Sequence, residues 1–137
     1  MNTLDGIIED IATEGDLSLV KINPGIKPGE VVTAIVIDTP AAAAYLRIGS
    51  RVNAVFKETE VIIAKHFSGQ ISVRNKFLCT IKSVEKGKLL ARIALDYAGI
   101  EMISIITVNA VNSLDLAAGD EITALVKTNE ISIAPHD

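Results

Sequence analysis

Gly49-Ser50-Arg51-Val52-Asn53-Ala54-Val55-Phe56-Lys57-Glu58-Thr59-Glu60-Val61-Ile62-Ile63-Ala64 returns further along the chain as Gly119-Asp120-Glu121-Ile122-Thr123-Ala124-Leu125-Val126-Lys127-Thr128-Asn129-Glu130-Ile131-Ser132-Ile133-Ala134. Each version has a turn glycine, an alternating apolar run, a lysine, a polar break and a second β-branched run, which reads as two short strands. In a chain of 137 residues, such a repeat defines a tandem of two similar units. We place them at 1–66 and 71–137, joined through His66-Phe67-Ser68-Gly69-Gln70-Ile71. Units of this size lie near the lower limit of what one hydrophobic core stabilises, so mutual packing or oligomerisation is expected to supplement it.

Working outward, apolar residues make up 49% of the chain and aromatics 4%, so the cores must be built from Ile, Val, Leu and Ala, which suit strands. Copy one reads as strands near 4–13, 16–22, 30–38, 50–57 and 60–64, and copy two as strands near 76–85, 88–95, 100–107, 121–127 and 130–134. Between the third and fourth strands, Thr39-Pro40 followed by an alanine run to Leu46 predicts a short helix, and Val108 to Leu114 predicts its counterpart. Five strands with a helix between the third and fourth is the element order of an OB-like barrel. The expected fold is therefore all-β, a tandem of two five-stranded OB-like barrels with one short helix each.

Several function classes find no support. No paired carboxylates, nucleophile elbow or phosphate loop appears, so no catalytic residue is assigned and an enzyme is not expected. Cys79 is the only cysteine, and the two histidines, His66 and His136, stand far apart, so no cation site is predicted. A net charge of −4 with few aromatics argues against nucleic acid. Apolar runs are too short to cross a bilayer and no leader pattern opens the chain, which gives a cytoplasmic expectation with no membrane partner.

The informative cluster is Ser72-Val73-Arg74-Asn75, with Thr107 closing the third strand of copy two and Lys127-Thr128 closing its fourth. All the polar side chains here can donate hydrogen bonds and two are cationic, which suits a fully ionised oxyanion. Taken alone, the same residues also read as ordinary surface cations and a turn.

Ser72-Val73-Arg74-Asn75, Ile105-Ile106-Thr107, Leu114-Asp115-Leu116-Ala117-Ala118-Gly119 and Ala124-Leu125-Val126-Lys127-Thr128, in this order, resemble the molbindin (Mop, TOBE-type) family, with a weaker match in copy one. The resemblance implies a cytoplasmic di-Mop protein that binds molybdate, or tungstate, for storage, buffering or sensing, with no organic cofactor. It also implies a homo-oligomer, a trimer being favoured. By the same resemblance Ser72, Arg74, Lys127 and the backbone at Thr128 are oxyanion ligands from one subunit, and Thr107 supplies a hydroxyl across the interface. Asn75, Asn109 and Lys57 are weaker candidates. Ala110 lacks the donor often found at its position, a loss of about 1.5–3 kcal/mol toward a charged acceptor, for which Asn109 could substitute. Copy one keeps Lys57 but has Asn2-Thr3-Leu4-Asp5 where copy two is read as Ser72-Val73-Arg74-Asn75, and Ile37 opposite Thr107. This divergence motivates the alternative reading, a protein-interaction module of molybdate transport whose anion sites have decayed.

Overall fold

The computed structural model describes residues 1–136. Ten strands form two five-stranded antiparallel sheets. Those of copy one are β1 (Asn2–Glu14), β2 (Leu17–Asn23), β3 (Val32–Val36), β4 (Arg51–Phe56) and β5 (Ile62–Ala64). Copy two supplies β6 (Asn75–Lys86), β7 (Leu90–Tyr97), β8 (Ile100–Thr107), β9 (Glu121–Val126) and β10 (Ser132–Pro135). These bounds follow the expected strands closely.

The sequence repeats and the folded units are partitioned differently. One sheet runs β10-β4-β1-β2-β3 and the other β5-β9-β6-β7-β8, so each sheet takes its short fifth strand from the opposite copy. Compact unit 1 accordingly comprises Met1, Thr3–Phe56 and the segment from Lys127 onward, and unit 2 comprises Asn2 and Lys57–Val126. The cause lies in the polar break of the repeat. Glu58–Glu60 and Thr128–Glu130 form single 3₁₀ turns, and no residue of either, Asn129 included, takes the positive φ that a two-residue hairpin needs. The chain therefore leaves β4 or β9 without folding back on it. The first turn is fixed by the Lys57 amide donating to Glu60 Oε1 (2.8 Å) and the Glu60 amide donating to the Lys57 carbonyl (3.0 Å).

In unit 2, strict alternation along β6 buries Phe77, Cys79 and Ile81, where they meet Ile93, Leu95, Tyr97 and Ile122 in the core. Phe77 and Tyr97 stack edge-to-face with centroids 5.0 Å apart, a favoured aromatic geometry. The sheet curls until its outer strands approach, and the buried Ser104 hydroxyl on β8 donates to the carbonyl of Val61, just before β5 (2.8 Å). Unit 1 is built likewise around Leu4, Ile8, Val20, Ile22, Leu46 and Phe56. Its counterpart of Ser104 is Ala34, so the same seam there lacks that hydrogen bond.

A bulge interrupts β1 between Ile8 and Asp10 and β6 between Ile81 and Ser83. Ile8 and Ile81 accept from the amides of Gly49 and Gly119, both at 2.8 Å. Those glycines have φ of 92° and 94°, a region that favours glycine. The shared bulge aligns Asn2 with Asn75, which moves the expected alignment of the copies' first segments by three residues. Met1, not Leu4, stands in the register of Arg74.

The helix expected over Thr39 to Leu46 is not formed. Ala43 closes one turn onto the Thr39 carbonyl (2.9 Å), then the pattern breaks into bends. Arg47 takes the carbonyls of Pro40 (2.6 Å) and Leu46 (3.1 Å) with its guanidinium, and so short a segment has little helical stability of its own. Ala43 and Leu46 are buried all the same. In unit 2 the helix forms as expected: α1 is Val108–Leu114, capped by Thr107, whose hydroxyl accepts from the Ala110 amide (3.1 Å), and ended by Asp115 at φ 49°.

Candidate functional site

The expected ligand residues are organised by the last rung of the β6–β9 ladder. Asn75 pairs with Val126 and donates its side-chain amide to the Val126 carbonyl (3.0 Å). It is only 1% exposed, so this bond satisfies a polar group that would be costly to bury unpaired. Arg74 and Ser72 lie just outside β6, and Lys127 and Thr128 follow directly on Val126.

Arg74 is exposed and its side chain turns back on its own segment. Nε donates to the Ser72 carbonyl (3.0 Å) and Nη2 to the Ile71 carbonyl (2.7 Å). These bonds orient the guanidinium while using two of its five donors. Arg74 and Lys127 make no ion pair among the described residues, so no carboxylate cancels either charge. Ser72 is exposed beside Arg74 and Thr128 is half-buried at the start of the second 3₁₀ turn. Lys57, in the matching place after β4, is exposed and likewise free of any ion pair among the described residues.

Thr107 and Asn109 fall elsewhere. Thr107 pairs with Leu90 at the far end of β8, beside the β6–β7 turn, whereas Arg74 precedes the opposite end of β6. The twelve residues of β6 amount to a strand path of roughly 35 Å. One chain does not bring Thr107 to Arg74. The Thr107 hydroxyl accepts from Ala110 and keeps its proton to donate outward, and exposed Asn109 sits in the first turn of the helix.

Sequence reasoning missed two structural residues. Asn2, 4% exposed, binds the backbone of Ile103 both ways, donating from Nδ2 (2.8 Å) and accepting at Oδ1 (2.7 Å). Once the bulges set the alignment, an asparagine opens the first strand of both copies, and that was the available signal. Ser104 gave none, being a lone serine in an apolar run. Cys79 is buried, and desolvation pushes its thiol up to about 12, so it stays protonated and unsuited to nucleophilic or metal-ligand work. Among the described residues no group of three or more His, Cys, Asp or Glu could hold a metal ion. A concavity of about 460 Å³ in unit 2 is lined by Lys65, His66, Leu78, Asp120, Glu121 and Thr123, among others. Its carboxylates make it a poor anion site, and it contains none of the candidate residues. No helix among the described residues is long and apolar enough to cross a membrane.

Curled five-stranded sheets, a duplicated strand–turn–strand element and cationic donors at a strand end define a tandem of OB-like, TOBE-type ligand-binding domains. The TOBE domain model matches residues 71–133. The chain is 30% identical over 135 residues, 97% of its length, to the molybdenum transport protein ModE of Herbaspirillum seropedicae, and spans 49% of that protein. It therefore covers about half the length of that relative. Over 64 residues, 46% of the chain, it is 33% identical to molybdenum-pterin-binding protein 3 of Clostridium pasteurianum and covers 94% of it. The fold superimposes with a TM-score of 0.90, at 28% identity and covering 98% of this chain and 96% of the other, on the cytoplasmic molybdate-binding protein ModG in a form with molybdate bound. The chain belongs to the molbindin (Mop) family. That family comprises binding proteins rather than enzymes.

Proposed function

We propose that the chain binds molybdate, or the nearly isosteric tungstate, in the cytoplasm as a store, buffer or sensor. The observation that carries this reading is the pair of uncancelled cations, Arg74 and Lys127, on the residues flanking the buried Asn75–Val126 rung. Kinship with proteins named for molybdenum supports it.

In this reading the free donors of Arg74 offer a planar pair to two oxyanion oxygens, and Lys127 adds a mobile point charge. The Ser72 hydroxyl and the backbone N–H of Thr128 complete the donor set from one copy. Thr107 contributes its hydroxyl from another copy, because the register of unit 2 separates it from Arg74. Asn75 positions the rung, and Asn109 stands beside Thr107. Lys57 has Met1 in the register of Arg74 and Ile37 in that of Thr107, so the copy-one end is the weaker ligand. A cage of donors gives hydrogen phosphate no acceptor for its proton and fits the smaller sulfate poorly, but it treats molybdate and tungstate alike. A site shared between copies calls for a homo-oligomer, and the resemblance to the family favours a trimer.

Calorimetric titration with molybdate tests the proposal. Stoichiometric binding by the native chain and its loss in Arg74→Ala are expected. An unchanged isotherm in the variant, or no binding by the native chain, rejects it.

A further inference from the structure

Thr107 can present its proton to an anion only while α1 keeps its place, because the Ala110 amide engages the hydroxyl oxygen (3.1 Å) and so sets its direction. Yet α1 has seven residues, too few to be stable alone. Val111 anchors it in the core, while Asn109, Asn112 and Ser113 are exposed. The holds on it come from outside the helix. At its start the Val108 amide donates to the Leu89 carbonyl in the β6–β7 turn (2.9 Å). Along its side Lys86, the last residue of β6, donates from Nζ to Asn112 Oδ1 (2.9 Å). At its end Lys65 donates to the Asp115 carbonyl (2.7 Å), where a cation suits the helix C-terminus.

Unit 1 serves as a built-in control. Strand register sets Thr13 in the place of Lys86, and the repeat sets Ala42 in the place of Asn112 and Pro135 in that of Lys65. Ala42 offers no side-chain acceptor, Pro135 offers no donor, and the Thr13 hydroxyl lies 3.1 Å from that of Ser18 instead. There the segment closes one turn at Ala43 and then breaks into bends. Ile37 stands in the place of Thr107. The wound helix, its two lysine holds and the hydroxyl thus occur together in one unit and are all missing from the other.

We propose that Lys86 is a positioning residue of the oxyanion site: through Asn112 it clamps α1 to the β6–β7 turn and so fixes where Thr107 presents its hydroxyl. Lys86 acts through the helix and does not touch the anion. The clamp matters because Ala110 brings no side-chain donor, so more rests on Thr107. Asn112 suits the task, since a neutral amide orients the ammonium without adding a negative charge near an anion. The inference rests on the reading of Thr107 as an oxyanion donor and adds how that donor is held.

Molybdate titration of the full chain tests it. Lys86→Met and Asn112→Ala should each weaken binding about fivefold, the effect of one ordinary hydrogen bond. The double variant should bind no more weakly than either single one, because both changes break the same contact. Lys86→Arg keeps a donor within reach of Asn112 and should retain most of the affinity. In a Thr107→Ala background, Lys86→Met should have no further effect. Alanine favours helix more than asparagine does, so a fall in affinity in Asn112→Ala reports the lost clamp rather than a poorer helix, and urea unfolding of the same variants confirms that they fold. Native affinity in either single variant overturns the clamp and leaves molybdate binding standing. Additive losses, in the double variant or in the Thr107→Ala background, overturn it likewise and mark Lys86 as an independent charge. A native chain that binds no molybdate overturns the proposed function and the clamp together.

Discussion

Asn75 holds the Val126 carbonyl through its side-chain amide at 3.0 Å, and the residues next to this pair along the chain are Arg74 and Lys127. A buried polar bond thus sits directly behind the two cations proposed to meet the anion. Asn75→Ala leaves a buried carbonyl without that partner, at a cost of about 1–3 kcal/mol. Urea unfolding should report this as a lower midpoint with an unchanged slope, and molybdate affinity should fall although no ligand group has been removed. Native affinity in a destabilised variant would confine Asn75 to a structural role.

Ser104 closes the seam of unit 2 onto the Val61 carbonyl, whereas unit 1 has Ala34 in that place. Ser104→Ala should cost about 1–3 kcal/mol, because the acceptor stays buried without its donor. Ala34→Ser gains nothing unless its hydroxyl finds an acceptor across the unit 1 seam. Calorimetric scans of the two variants separate these outcomes.

Gly6 and Cys79 share a register position but not a tolerance. A Cβ on Gly6 would lie 2.6 Å from Ile22 Cγ2 and 2.7 Å from the Asn23 carbonyl oxygen, and the second of these is backbone that cannot swing aside. Gly6→Ala should destabilise by about 1–3 kcal/mol through overpacking. Cys79, with its thiol pushed up to about 12 by burial, should resist thiol reagents at pH 8 in the native protein and react once urea unfolds it. The raised value means that the protonated form is the stabilised one. That contribution is complete below the thiol's unfolded-state value and disappears as pH rises through about 12.

At the acid end the sign reverses. Asp120 accepts from the Ala117 amide (2.9 Å) and from Lys65 Nζ (3.1 Å), and these contacts, the amide foremost, hold its carboxyl below the usual value. The resulting stability is complete above the unfolded carboxylate value and is lost as pH falls through the depressed one. Asp120→Asn should lower the neutral plateau of the melting-temperature profile and flatten its acid limb, the two profiles converging at low pH. An acid limb identical to that of the native chain would show that the surrounding water masks the pair.

Strand positions, the α1 helix and the turn glycines were legible in the sequence because alternation, a capping threonine and required positive φ are local signals. What could not be read depends on distant partners. Glu58-Thr59-Glu60 looks like the bend of a hairpin, and only the lack of a primed-turn residue hints that β4 and β5 separate into different sheets. Thr39-Pro40 and its alanine run carry helix signals, yet Arg47 captures the Pro40 carbonyl that would continue the ladder. For the site, donor chemistry singled out Arg74 and Lys127 as candidates. The three-residue shift that aligns Asn2 with Asn75 in the repeat needed the two bulges, which no residue pattern announces.

The separation of Thr107 from Arg74 along β6 makes the composite site testable by mixing. Arg74→Ala should lose at least tenfold in molybdate affinity, since a charge-assisted hydrogen bond contributes about 1.5–3 kcal/mol. Thr107→Asp keeps an oxygen to cap α1 but sets a negative charge where the anion must come, so it too should bind weakly. Each variant alone lacks one half of every site. If Arg74 and Thr107 serve the same site from different copies, a site is restored wherever the Arg74 of a Thr107→Asp chain meets the Thr107 of an Arg74→Ala chain. Unfolding the two variants together in equal amounts and refolding them should therefore recover about a quarter of the native sites, the share expected for random assembly. Recovery read by calorimetry would place the two residues on facing copies. A mixture that binds no better than its components would show that Thr107 and Arg74 do not meet in one site.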